Sequence, residues 1–194
     1  MLLNLDGRKI YFDLAGPQNA PTVCFTHSLA ADGGMWTEQL VPLLAAGYRV
    51  LRLDMRGHGG SQPVEGDYTM DQLAGDVKGA LDVLGIWKVH YIGLSIGGMI
   101  GQGFALAYPE RLQSLTLCDT HPSSPDDSGG QWDQRKAAVR AGGVKALADG
   151  NMERWFTPEF KEANPPRGKE IHSTICGTSD AGFLGCAAAI QNFD

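Results

Sequence analysis

Val89-His90-Tyr91-Ile92-Gly93-Leu94-Ser95-Ile96-Gly97-Gly98 is an apolar, strand-like run that ends in a glycine-flanked serine and passes straight into a helical pattern. A serine that stands proud of a sheet edge needs a tight strand-to-helix bend. In such a bend the residues two before and two after the serine come too close to neighbouring backbone to carry a side chain. Gly93 and Gly97 meet that requirement. The helix that follows points its free N–H groups and its positive dipole end back toward Ser95, where developing negative charge is favoured. A dinucleotide-binding glycine turn would use the same architecture but needs G-x-G-x-x-G. The nearest candidate, Gly101-Gln102-Gly103-Phe104-Ala105-Leu106, lacks the third glycine and falls inside the helix.

Upstream of this turn, strands and helices alternate. Leu3-Asn4-Leu5 and Ile10 to Leu14 flank Asp6-Gly7, a hairpin signal. Thr22-Val23-Cys24-Phe25-Thr26 suits a strand buried on both faces and ends at His27-Ser28-Leu29-Ala30. Trp36, Leu40, Leu43 and Leu44 fall at helical spacing, and Gly47 stops that helix. Tyr48 to Leu53 is the next strand and runs into Asp54-Met55-Arg56-Gly57-His58-Gly59-Gly60-Ser61. Thr69-Met70-Asp71-Gln72 has the form of a capping box, opening a helix whose buried stripe is Leu73, Val77, Ala80, Leu81 and Leu84 and which Gly85 closes. After Ser95 the helix turns Met99, Ile100, Phe104 and Ala107 inward and ends at Pro109; Leu115 to Asp119 is a further strand.

This alternation through residue 120 predicts a mostly parallel sheet with helices on both faces. His27, Asp54, Ser95 and Asp119 all fall at carboxyl ends of strands, the rim where such sheets place their sites. From His121 to Gly130 the chain is a polar linker by composition. Residues 131–194 read as helices, over Trp132 to Ala148, Met152 to Phe156, about Lys169 to Cys176, and Ala181 to Phe193. The expected division is 1–120 for the N-terminal part of an α/β core and 121–194 for a helical cap.

The 194 residues suffice for one sizeable core, and 43% hydrophobic with 20% charged residues describes an ordinary soluble globular chain. A net charge of −6 without any Lys/Arg cluster argues against nucleic acid or an anionic membrane as partner. No apolar run reaches membrane-spanning length. Met1-Leu2-Leu3-Asn4-Leu5-Asp6 has no basic stretch leading into an apolar one, so no signal peptide is expected and a cytoplasmic location is the default. The four cysteines stand singly with no C-x-x-C, supporting neither a zinc site nor a redox pair. His172 and Cys176 are spaced for one helix face, which is two ligands and not a metal site.

G-x-S-x-G in this strand–turn–helix setting is the nucleophile-elbow pattern. Taken with Asp54-Met55-Arg56-Gly57-His58-Gly59-Gly60-Ser61 and His27-Ser28-Leu29, it makes the chain resemble the α/β-hydrolase superfamily. More narrowly it resembles the 3-oxoadipate (beta-ketoadipate) enol-lactonases and their carboxylesterase relatives. The residues that carry this are His27-Ser28-Leu29-Ala30-Ala31-Asp32 with Met35-Trp36, Val139-Arg140-Ala141-Gly142-Gly143, and Met152-Glu153-Arg154-Trp155-Phe156-Thr157-Pro158. The resemblance implies a hydrolase that uses no cofactor and no metal. Ser95 would attack an ester or lactone carbonyl of a small molecule and form an acyl-enzyme, with the backbone N–H groups of Leu29 and Ile96 holding the oxyanion. Trp132, Arg135 and Trp155 would lie near the pocket mouth. Arg135 suits a substrate carboxylate; as a solvated helix-face charge, with the tryptophans as packing, it would have no such role, and the sequence leaves both open. By the same resemblance His58 shapes the rim, His90 is packed within its strand and His27 braces the turn beside it.

A serine needs a general base and the base an orienting acid, in this fold in the chain order Ser, acid, His. The resemblance puts the acid and the histidine on later strands, and the chain ends at Gln191-Asn192-Phe193-Asp194, where the cap would return to the sheet. Internally only Asp119 with His121 or His172 is available. The expectation is therefore a complementing C-terminal chain or fragment lying against the strand that ends at Asp119, which would otherwise be an open edge. The competing expectation is a catalytically incomplete homologue acting as a binding or assembly module.

Overall fold

In a computed structural model, which describes residues 1–124 and 128–194, the chain opens with a hairpin, β1 (Leu2–Leu5) and β2 (Arg8–Ala15). Asp6 and Gly7 between them take φ of 50° and 85°, the mirror-image turn that matches strand twist. Next come β3 (Thr22–Thr26), α1 (Thr37–Ala45), β4 (Arg49–Leu53), α2 (Met70–Val83), β5 (Val89–Leu94), α3 (Ile96–Ala107) and β6 (Leu112–Cys118). Five helices follow: α4 (Ser128–Gly142), α5 (Ala148–Trp155), α6 (Pro158–Ala163), α7 (Pro165–Gly177) and α8 (Asp180–Gln191).

The strands form one sheet in the order β1-β2-β4-β3-β5-β6. β1, β2 and β4 pair antiparallel; β4, β3, β5 and β6 run parallel. Alternation along the buried strands sorts the core by face. Val23, Phe25 and Val50 pack with Trp36 under α1, while Cys24, Leu51 and Tyr91 pack with α2 and α3 on the other side. The same second cluster takes in Val139, Val144, Phe183 and Ile190, so α4–α8 share an apolar core with the sheet.

The capping box forms as expected: the Thr69 hydroxyl accepts from the Gln72 N–H and the Gln72 side chain accepts from the Thr69 N–H. Helix α8 docks through its glycines. A Cβ at Gly182 would meet the Gly57 backbone at 2.6 Å, and one at Gly185 would meet the Tyr68 ring at 2.5 Å.

Several expectations need correction. Trp36 lies in a short 3-10 turn ahead of α1. Ala107 is exposed, with Leu106 beside it, because the last turn of α3 lies outside the core that buries Met99 to Phe104. The helix expected to run to Ala148 ends at Gly142, since Gly143 takes a φ of 76°, and the next helix starts at Ala148 rather than Met152. Helix α7 begins four residues earlier than expected, at Pro165, where proline's fixed φ suits a first turn. In the polar linker, residues 125–127 lie outside the described residues, while Ser128 to Gly130 already belong to α4.

β6 is the last strand of the sheet, and no described residue pairs with its far side. Its burial is shallow, with Leu117 44% exposed. The parallel register sets Thr26 level with Leu53 and Gly93, and Leu94 level with Cys118. One rim therefore gathers His27, Asp54, Ser95 and Asp119.

Candidate active site

Ser95 occupies the bend between β5 and α3 with φ 55° and ψ −120°, a conformation that L-residues avoid. Four hydrogen bonds hold its backbone there. Its N–H donates to Cys118 O (2.9 Å), and its carbonyl accepts from Gly98 N–H (2.9 Å), Met99 N–H (3.1 Å) and the Thr120 hydroxyl (2.8 Å). The side chain is half-buried, and its hydroxyl has no hydrogen-bond partner among the described residues.

The flanking glycines are sterically obligatory. A Cβ on Gly97 would sit 2.6 Å from Thr26 O and 2.9 Å from His27 O; one on Gly93 would overlap the Gly97 carbonyl. This close approach brings the N-terminus of α3 against the end of β3. The Thr26 and Tyr91 hydroxyls, 2.8 Å apart, both lie 3.1 Å from Gly97 O, tying the two strands to the turn.

After β3 the chain turns through Leu29 and through Ala30, at φ 61°. Neither Leu29 N–H nor Ile96 N–H has a hydrogen-bond partner among the described residues. Asp54 braces this turn from below, its carboxylate accepting from Gly33 N–H (2.7 Å) and Gly60 N–H (2.9 Å). Burial pushes the Asp54 carboxyl up, against the opposing pull of His27 and those two amides.

His27 is buried with both ring nitrogens engaged: Nδ1 lies 2.8 Å from Ser28 O, and Nε2 accepts from Met55 N–H at 2.9 Å. Those partners fix a neutral ring protonated on Nδ1, and burial lowers its affinity for a second proton. It therefore has no lone pair to offer Ser95. His58 lies beside it, ring centroids 5.2 Å apart, with Nδ1 2.9 Å from Arg56 O and a buried Nε2 that lacks a partner. Burial drives the His58 pKa down to about 3, far too low for a general base at neutral pH. His90 is half-buried rather than fully packed, pairs with the Ser114 hydroxyl at 2.8 Å, and lies five residues before Ser95 on the strand, about 16 Å away.

Asp119 follows Cys118 and so stands next to Ser95 across the strand pair, exposed and at φ 43°. His121 is exposed and takes part through its carbonyl, which accepts from Gln102. His172 sits on α7 against Asp149, at 3.0 Å. Among the described residues no histidine hydrogen-bonds to Ser95. Thr120, which pins the Ser95 carbonyl and packs against Gly98, has no signature in the sequence.

On α4, Arg135 lies with its guanidinium carbon 4.4 Å from the Trp132 ring centroid and 5.5 Å from that of Phe183. No carboxylate among the described residues pairs with it. Burial, with repulsion from Arg154, lowers its pKa to about 10. Trp155 is half-buried, edge-on to Phe156 with centroids 6.5 Å apart. A separate cavity of about 360 Å3 opens between α7 and the loops after β3 and β4, lined by Asp32, Asp54, Arg52, Arg167 and Glu170 among others; Ser95 does not line it.

The model of the alpha/beta hydrolase fold family matches residues 21–159. The chain belongs to the α/β-hydrolase fold family. Within that family it is 32% identical over 194 residues to 3-oxoadipate enol-lactonase 1 of Acinetobacter baylyi, covering 100% of this chain and 71% of that protein. The solved enol-lactonase of Burkholderia xenovorans LB400 superposes with a TM-score of 0.94 at 33% identity, over 100% of this chain and 74% of that one. A hydrolase from Pseudomonas aeruginosa PA01 gives 0.92 at 34% identity, over 100% and 73%. This α/β-hydrolase chain thus spans about seven tenths of each of those proteins. Among its described residues no helix is long and apolar enough to cross a membrane, and no group of His, Cys, Asp and Glu is arranged to hold a metal ion.

Proposed function

We propose that this protein is a serine hydrolase of carboxylic esters or lactones whose acyl portion carries an anion, as in an enol-lactone of a dicarboxylic acid. One observation carries the reading: at a helix N-terminus, Ser95 sits at positive φ with its backbone held by three backbone hydrogen bonds and one from the Thr120 hydroxyl, and neither its own hydroxyl nor the Ile96 and Leu29 amides have a partner among the described residues. The family and its enol-lactonase relatives support the class of reaction.

Ser95 Oγ attacks the carbonyl carbon. The oxyanion is held by the N–H groups of Ile96 and Leu29, donors that need not reorganise as charge develops. Collapse of the tetrahedral intermediate expels the alcohol, or opens the lactone ring, and water then resolves the acyl-enzyme. Residues 121–194 serve as a cap over residues 1–120, with Trp132 and Trp155 walling the entrance and Arg135, a half-buried cation without a counter-ion among the described residues, receiving the substrate carboxylate. Because no histidine among the described residues hydrogen-bonds to Ser95, the base and its acid come from a complementing segment that pairs with the edge of β6 that no described residue occupies. The four cysteines are free thiols, which favours a reducing compartment such as the cytoplasm.

The test is turnover of a p-nitrophenyl ester and of a carboxylated lactone. It uses the chain alone and with the uncovered part of the Acinetobacter enol-lactonase supplied in trans. The reading expects activity with the added segment and none with Ser95→Ala. Binding of the lactone with no turnover under either condition favours the second reading, a non-catalytic binding module, for which the lack of a histidine on Ser95 among the described residues speaks.

A further inference from the structure

Four cysteines are present, and their surroundings differ sharply. Cys24 and Cys186 are buried, and burial pushes both thiols up to about 12. Cys118 is half-buried at the end of β6. Cys176 is exposed in the last turn of α7, and its Sγ lies 3.7 Å from Nδ1 of His172, one turn earlier on the same helix face. Nε2 of that histidine lies 3.0 Å from Oδ1 of Asp149 on α5.

The Asp149 carboxylate accepts, so the imidazole proton sits on Nε2 and the lone pair of Nδ1 faces the thiol. Thiol, base and orienting carboxylate are therefore aligned in the order that activates a sulfur nucleophile. The helix itself works against a thiolate here, because its C-terminal end carries partial negative charge. An imidazolium at His172 offsets that field, which makes His172 the decisive element.

We propose that Cys176 is a modification site that undergoes thiol–disulfide exchange with low-molecular-weight disulfides, His172 serving as its base and Asp149 holding His172 in place. Nδ1 of His172 takes the Sγ proton, and the thiolate attacks one sulfur of the disulfide RS–SR. The RS–SR bond breaks as the Cys176 Sγ–SR bond forms, and the departing RS⁻ takes the proton back from the imidazolium. One thiol and one disulfide thus give one mixed disulfide and one RSH, the disulfide being the oxidant. The assignment stands independently of the role of Ser95.

Glutathione disulfide is the probe, applied to the native full chain, with the mixed disulfide at each cysteine followed over time by peptide mass. Cys176 is expected to react first, Cys118 more slowly, and Cys24 and Cys186 not at all. His172→Gln is expected to lower the Cys176-to-Cys118 rate ratio at least about threefold, a modest factor because a more ionised thiol is also a weaker nucleophile. A smaller fall, or Cys118 reacting as fast as Cys176 in the unaltered protein, overturns the proposal. Unfolding of the variant would reveal itself by modification of Cys24 and Cys186. Asp149→Asn, at a carboxylate 97% exposed, then carries the test: a lowered ratio supports the proposal and an unchanged one overturns it.

Discussion

Replacing Ser95 by glycine is expected to leave a more stable protein than replacing it by alanine, although both remove the hydroxyl. At φ 55° and ψ −120° the backbone of residue 95 lies in the mirror image of the extended region, which only glycine enters freely. Holding an L-residue there costs about 1–3 kcal/mol. Glycine relieves that strain and gives back about 0.5–1 kcal/mol through the greater entropy of its unfolded chain. The hydroxyl makes no hydrogen bond among the described residues, so its loss adds little. The net gain of Ser95→Gly over Ser95→Ala is about 0.5–2 kcal/mol, or about 1–8 °C in Tm for a chain of this size. Urea unfolding of the two variants side by side, at matched m-values, measures it. Glycine equal to or less stable than alanine would refute the claim that the turn stores strain at residue 95.

Gly97→Ala forces a methyl group to within 2.6 Å of Thr26 O, a backbone atom that has little room to yield. A loss of about 1–3 kcal/mol in stability and at least about a hundredfold in kcat is expected, read by urea unfolding and ester turnover in the complemented protein. Arg135→Gln is expected to raise KM for a carboxylated lactone by about tenfold or more while leaving a neutral ester unaffected, since a hydrogen bond to a charged group is worth about 1.5–3 kcal/mol. A parallel loss on both substrates would instead make Arg135 a packing residue. His58 is neutral in the fold with a pKa of about 3, below its unfolded value near 6.5, so the unfolded chain binds the extra proton. Its contribution is complete above about pH 6.5 and shrinks by about 1.4 kcal/mol per unit as pH falls toward 3. His58→Asn should flatten the dependence of the urea midpoint on pH between 7 and 5, and an unchanged slope would contradict the assignment.

What could be read from the chain alone follows the range of the forces involved. The turn at Ser95 is legible because its constraints are local: Gly93 and Gly97 are small to avoid backbone a few residues away or on the adjoining strand. The Asp6-Gly7 hairpin and the Thr69–Gln72 capping box are legible for the same reason. The Arg135–Trp132 stack, three residues apart on α4, could have been anticipated from helical spacing. Thr120 on the Ser95 carbonyl, and Arg167 of α7 bound to Glu38 and Gly34 O across the fold, depend on tertiary approach that no local pattern encodes. The exposed Ala107 fails for a related reason: helical periodicity marks a face but not where the surface it packs against ends.

The most direct test of Ser95 as nucleophile is a fluorophosphonate label on the chain assembled with the complementing enol-lactonase segment, located by peptide mass. A single adduct on the peptide carrying Ser95, lost in Ser95→Ala together with ester turnover, is the predicted result. An adduct on any other residue, or turnover that survives in Ser95→Ala, would contradict it.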